Sequence, residues 1–311
     1  MSTADGIERE VSAEHPLSHD VLVQSEEALA ALKGKRRRPK DDTERVRLYF
    51  AQQYVDLLAA DPGVRLGLDA EPVHEMRVAV RRLRALLRAA RPMFVREWAD
   101  ALRAELGWLG RALGPLRDLD VLSAYLRAEA ETLDDGDRTT LEPIFSALES
   151  DRAAARAEAL SVMQSERYLA LLGALGAPPQ LLAGAGAVSL EAIAARELKK
   201  LRKTVRRAEA EGSDELLHKA RIRAKRLRYV AETLGEDSIV RRAKAFQDVV
   251  GEHQDAVVAE ERLRALAARV PEAALSLGLL IERQRGRRER MRGDVPKSWR
   301  RLRRAATKAW S

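Results

Sequence analysis

From Thr43 onward, apolar residues return every three or four positions with polar residues between them, the period of a helix that buries one face. Short polar or Gly-bearing breaks separate these runs, and a stretch rich in Gly and Pro, from Gly173 to Gly186, divides the chain at large. Ser189 stands where a new helical series would be capped. Runs of β-branched residues are rare, while Ala, Leu, Arg and Glu dominate, so the pattern predicts an all-α protein. The expected organisation is a flexible N-terminal arm over 1–41, a first helical half over 42–172, a linker over 173–188 and a second helical half over 189–311.

The chain also repeats itself. His74-Glu75-Met76-Arg77-Val78-Ala79-Val80-Arg81-Arg82-Leu83-Arg84 returns 144 residues later, without a gap, as His218-Lys219-Ala220-Arg221-Ile222-Arg223-Ala224-Lys225-Arg226-Leu227-Arg228. Leu113-Gly114-Pro115-Leu116-Arg117-Asp118 is echoed more faintly, 137 residues on, by Val250-Gly251-Glu252-His253-Gln254-Asp255. Each copy follows an amphipathic run beginning about thirty residues before its histidine, so two related helical halves are expected.

On a helix, His74, Arg77, Arg81, Arg84 and Arg88 share one face, beside a core stripe of Val73, Met76, Val80, Leu83 and Leu87. The second copy sets His218, Arg221, Lys225 and Arg228 beside Leu217, Ala220, Ala224, Leu227 and Ala231. Pro72 suits the first turn of one helix, and Ser213, followed by Asp214 and Glu215, suits the start of the other. A merely solvated face would interleave acids with its bases. From His74 to Arg91 there are six arginines and one acid, and from His218 to Val230 six Lys or Arg and none. Like charges one turn apart repel unless an anion lies between them, so these helices point to anion binding. Asp118, Asp120 and Asp255 are the acids that other helices could bring.

Arg82 and Arg226 accompany the stripes. Lys199, Lys203 and Arg206 continue the same spacing from Arg196, and Arg287 and Arg288 open the most basic segment of the chain, with Arg152 and Arg156 as loose first-half counterparts. The two histidines, near positive helix ends and among cations, are expected to be neutral at pH 7 and to donate to a phosphate oxygen. No third histidine or carboxylate cluster stands at metal-ligand spacing, so neither a metal site, a cofactor nor a catalytic residue is expected. Gly114 with Asp118, and Gly251 with Asp255, are expected to mark tight helix junctions that orient arginines. Trp98, Trp108, Trp299 and Trp310 are read as core.

Composition narrows the classes further. The 311 residues include no cysteine, which excludes disulfides and thiol chemistry, and carry a formal charge of +8 from 56 Lys and Arg against 48 Asp and Glu. A polyanionic partner suits that balance. The basic tract Lys33, Lys35, Arg36, Arg37, Arg38, Lys40 reads as a solvated linker or an auxiliary phosphate contact. The longest uncharged run, Tyr168 to Leu190, is interrupted by glycines and prolines, and no signal peptide is evident, so a cytoplasmic protein with no membrane partner is expected. Nucleic acid is the nearest rival ligand, although only Tyr229 lies within a basic stripe to stack on a base. A metal-dependent phosphohydrolase is the enzymatic rival, without a P-loop or an acid cluster.

The paired His-x-x-Arg-x-x-x-(Arg/Lys)-Arg-Leu-Arg helices, with the two Gly-x-x-x-Asp echoes, resemble the CHAD family, the conserved-histidine α-helical domain, over about Thr43 to Trp310. The resemblance implies two pseudo-symmetric four-helix bundles around a central basic pore or groove. It further implies binding of inorganic polyphosphate and association with polyphosphate granules and their proteins. Carried onto this sequence, its motif residues are His74, Arg77, Arg81, Arg82 and Arg84, with His218, Arg221, Lys225, Arg226 and Arg228. Some relatives adjoin a triphosphate-processing CYTH domain, for which the arm here is too short. His253 stands where the first half has Leu116, so the symmetry is expected to fail there.

Overall fold

The computed structural model describes residues 39–310. Most of the expected arm, including its tract from Lys33 to Arg38, lies outside the described residues. Ten α-helices follow in order: α1 (Asp42–Leu66), α2 (Glu71–Ala89), α3 (Arg96–Ala130), α4 (Asp135–Thr140), α5 (Glu142–Met163), α6 (Glu166–Gly176), α7 (Leu190–Glu211), α8 (Asp214–Leu234), α9 (Asp237–Arg269) and α10 (Ala274–Trp310). The fold is all-α. Among the described residues the extended pairing is confined to one antiparallel bridge between Phe94 and Leu181, and no helix is long and apolar enough to cross a membrane.

Local chemistry sets many of the boundaries. Asp41, Ser165, Ser189 and Ser213 accept hydrogen bonds from the backbone N–H three residues on, satisfying first-turn donors of α1, α6, α7 and α8. Gly67, Gly212 and Gly235 end α1, α7 and α8 at φ of 67°, 63° and 77°, a left-handed conformation that glycine adopts without strain. Two sequence expectations fail. Gly114 and Gly251 are not helix junctions: both lie inside long helices, α3 and α9. Leu113, Leu116 and Val250 are buried beside them, and ending the helix there would expose that apolar area. The linker also begins later than expected, because Leu171, Leu172 and Leu175 are buried and carry α6 through to Gly176.

Three cores result. One gathers α1, α2, the first half of α3, the end of α5, α6 and the start of α7. A second gathers α7, α8, the first half of α9 and the end of α10. The third joins the halves at their far ends, packing Leu122, Leu126 and Ile144 of the α3 to α5 arm against Leu263, Leu266, Leu277 and Leu280 of α9 and α10. The halves also meet where α8 packs on α2 and α1, with Arg45 Nη1 donating to Leu234 O at 2.9 Å. Between these two junctions, α3 and α9 each run from one core to another.

The core stripes read from the sequence are buried throughout, from Val73 to Leu87 on α2 and from Leu217 to Ala231 on α8. Trp299 is buried, and Trp98, Trp108 and Trp310 pack partly buried against the cores.

Candidate functional site

With their apolar stripes buried, α2 and α8 bring part of their basic stripes together where the halves meet. Arg81 of α2 lies within electrostatic reach of Arg221 and Arg228 of α8, and Lys225 of α8 within reach of Arg81. Arg77 reaches α3, where its Nη1 donates to Gly110 O at 3.0 Å, beside Arg117 and Asp118. A Cβ on Gly114 would come within 3.2 Å of Arg77 Nη1, and one on Gly251 within 3.0 Å of Arg221 Nη2. Asp255, one turn beyond Gly251, lies 3.7 Å from Arg221. The two faint echoes therefore do one task twice: the glycine lets the first arginine of the motif lie against a long helix, and an aspartate follows one turn on.

The charges gathered here are largely of one sign. The Lys225 pKa is lowered to about 8, first by burial and then by Arg221, Arg81 and Arg228, against Asp255. Burial also lowers the pKa of Arg81, opposed by Tyr229 and reinforced by Arg228, Arg221 and Arg82. Arg81 is nonetheless exposed to solvent. Among the described residues no carboxylate comes within ion-pair distance of Arg77, Arg81, Arg84, Arg88, Lys225, Arg226 or Arg288. Like charges gathered without a paired acid repel one another, and an anion placed between them would relieve that repulsion.

Other candidates are distributed around this centre. Arg82 and Arg228 share one carboxylate, that of Glu232, whose oxygens lie 3.2 Å from each Nε. That acid sits just beyond the stretch whose charges the sequence count covered. Arg84 lies beside Arg103 and Arg111 of α3, and Arg226 beside Arg88, Arg223 and Glu197. Arg287 lies 3.5 Å from Glu252, and Arg288 approaches the buried His253. Lys199, Lys203 and Arg206 are exposed on α7, which packs on α8 and α10, and nothing couples them to Arg81 or Lys225. Asp120 serves Arg152 rather than the stripes, at 2.7 Å, and Asp118 serves Arg262, at 3.3 Å. Arg156 is engaged by the end of α1, donating to Arg65 O at 2.7 Å.

His74 is half-buried and lines a cavity of about 360 Å³ with Asp56, Glu75 and Arg82. Burial, then Arg117, lower its pKa, so its imidazole is neutral at pH 7. The buried Nδ1 of His218 finds no hydrogen-bond partner among the described residues. His253, which stands where the first half has Leu116, is buried with Nε2 at 3.4 Å from Asp214 at the start of α8, and burial lowers its pKa. Sequence reasoning missed Arg117, although it lies inside the quoted echo, and Glu232, which lies one turn beyond Arg228. Arg103 and Arg111 carried no signal, since they sit on a helix whose path was read as broken. No group of three His, Asp or Glu among the described residues is placed to hold a metal.

A family profile described as the CHAD domain matches residues 48–264. Uncharacterised proteins from two strains of Mycobacterium tuberculosis, CDC 1551 / Oshkosh and ATCC 25618 / H37Rv, are each 33% identical over 296 residues, covering 87% of this chain and 55% of the relative. The chain thus spans about half the length of the curated relatives it matches. Among solved structures, PptA from Streptomyces chartreusis aligns with a TM-score of 0.70 at 22% identity, covering 83% of this chain and 99% of that one, a likeness of fold. The CHAD domain from the plant Ricinus communis aligns with a TM-score of 0.65 at 25% identity, covering 86% and 92%.

Proposed function

The chain belongs to the CHAD family, and from that premise we propose that it binds inorganic polyphosphate, without catalysis, between its halves. The halves are read as pseudo-symmetric bundles, and the space between α2 and α8 as the basic groove that the polymer enters. The observation carrying this reading is the convergence of Arg81 with Lys225 across the two halves, with no carboxylate among the described residues within ion-pair distance of either. A linear phosphate chain offers a dense row of oxygens to such a place, and guanidinium groups grip them through short, charge-assisted and often bidentate hydrogen bonds. Because helices hold the cations apart before the ligand arrives, part of the ordering cost is met in folding. Attachment to polyphosphate granules in the cytoplasm follows from that affinity.

Titration with long-chain polyphosphate at several salt concentrations tests the reading. Affinity should fall steeply with salt as counterions are released. Charge reversal at Arg81 and Lys225 together should weaken binding on the order of 100-fold, about 2.7 kcal/mol, with the helical circular dichroism unchanged. Reversal at Arg37 and Arg38 should change it little, and equal losses from both pairs would remove the case for a structured site. Displacement by duplex DNA at equal phosphate concentration would shift the assignment to nucleic acid. Chain shortening with Mg2+ or Mn2+, abolished in His74→Ala, would replace binding by hydrolysis.

A further inference from the structure

A large concavity lies away from Arg81 and Lys225. The first turns of α9 and the last turns of α10 enclose a groove of about 1160 Å³. A neighbouring hollow of about 420 Å³ shares Arg242 and Arg301 with it. Along α10, Lys297, Arg301, Arg304 and Lys308 follow at steps of four, three and four, the same stepping as the stripe on α2. They extend over twelve residues, about 16 Å of helix. A solvated helix end would carry acids among its bases, yet from Lys297 to the end of the chain there is none. Glu236 is the one acid that lines the larger groove. Among the described residues Arg300, Arg301 and Arg304 pair with no carboxylate, and Arg242 turns to Ser238 instead, donating to its Oγ at 3.1 Å. The first turn of α9, which has no side-chain cap, adds its positive end to the same wall.

We propose that this outer groove is a second binding track for a linear phosphate polymer, separate from the cleft between α2 and α8. The inference rests on the polyphosphate reading of the protein and extends it to a different surface. The lining favours a mineral polymer over a nucleic acid: no aromatic ring lines the larger groove, so it offers no ring on which a base could stack. The row of fixed cations matches a repeating phosphate, and a chain long enough to leave the cleft gains by engaging the groove as well.

The test is the variant Arg300→Gln/Arg301→Gln/Arg304→Gln in the full chain. It is made in the wild-type background and with Arg81→Glu/Lys225→Glu, and titrated with long-chain polyphosphate, tripolyphosphate and duplex DNA. In the wild-type background the triple variant should lose on the order of 10-fold in affinity for long chains, with a salt slope smaller by about 2 to 3, one for each phosphate contact removed. Tripolyphosphate, too short to reach both places, should bind unchanged. In the background lacking the central cations, the triple variant should remove the residual long-chain binding. The matching Arg→Lys triple should keep the wild-type slope. Unchanged long-chain affinity and slope in the wild-type background would overturn the second track while leaving the cleft intact. Loss of DNA binding alone would overturn the choice of polymer. Failure of the central reading shows separately, as Arg81→Glu/Lys225→Glu binding like wild type.

Discussion

Among the basic residues of the cleft, Lys225 has an ordinary charge switch within reach of physiological pH. Its ammonium is held down to about 8, first by burial and then by Arg221, Arg81 and Arg228. At pH 7 it is mostly protonated, but keeping it so costs the folded protein energy that an unfolded lysine, with a pKa near 10.4, does not spend. Since the folded value is the lower one, that cost is complete below pH 8 and is relieved as pH rises toward the unfolded value. A bound polyanion reverses the balance by raising the pKa again. Binding should therefore take up protons above pH 8. Affinity should be flat from pH 6 to 7 and fall from pH 8 to 10, by up to about tenfold per unit. Lys225→Arg, which stays charged throughout, should flatten the profile. Calorimetry in buffers of different ionisation enthalpy measures the proton uptake directly. A wild-type profile as flat as that of the arginine variant would show that Lys225 does not face the ligand.

At the scale of elements, the glycines of α3 and α9 set helix stability against site geometry. Glycine in a helix interior costs about 1 kcal/mol relative to alanine, yet Gly251 sits in α9 where Arg221 crosses. Gly251→Ala should raise stability by about 0.5 to 1 kcal/mol in denaturant unfolding. It should also push the Arg221 guanidinium away by a few tenths of an ångström and weaken polyphosphate binding several-fold. Stability and affinity moving up together would contradict this use of the glycine. The same residues show what the sequence could and could not disclose. Amphipathic period and serine caps placed α7 and α8, and the duplication exposed the paired stripes, because those signals are local or repeated. The unbroken course of α3 and α9 was hidden because Gly114-Pro115 and Gly251 are local break signals, outweighed by tertiary burial of Leu113, Leu116 and Val250. Pro115 loses one backbone donor in α3, and the packing around it outweighs that loss.

At the scale of the whole molecule, the candidate site depends on how the two halves meet, packed at their far ends through the third core and joined also through Glu232. Glu232 Oε2 accepts from Tyr49 Oη of α1 at 2.8 Å and lies 3.2 Å from Arg82 Nε of α2, while its Oε1 lies 3.2 Å from Arg228 on its own helix. One largely buried carboxylate thus joins both halves and shields two cations of the motif. The rival view, that every basic residue of the stripes belongs to the ligand, makes a different prediction for its removal. Glu232→Gln should leave Arg82 and Arg228 half-buried and uncompensated, lowering stability by about 3 kcal/mol, as when one partner of a buried pair is lost. Polyphosphate, which can supply the missing negative charge, should then raise Tm more in the variant than in wild type, and the salt dependence of binding should steepen because two further cations become available. Thermal unfolding with and without ligand decides between them. An equal rise in both proteins would mean that Arg82 and Arg228 face away from the polymer and serve only to fasten the halves.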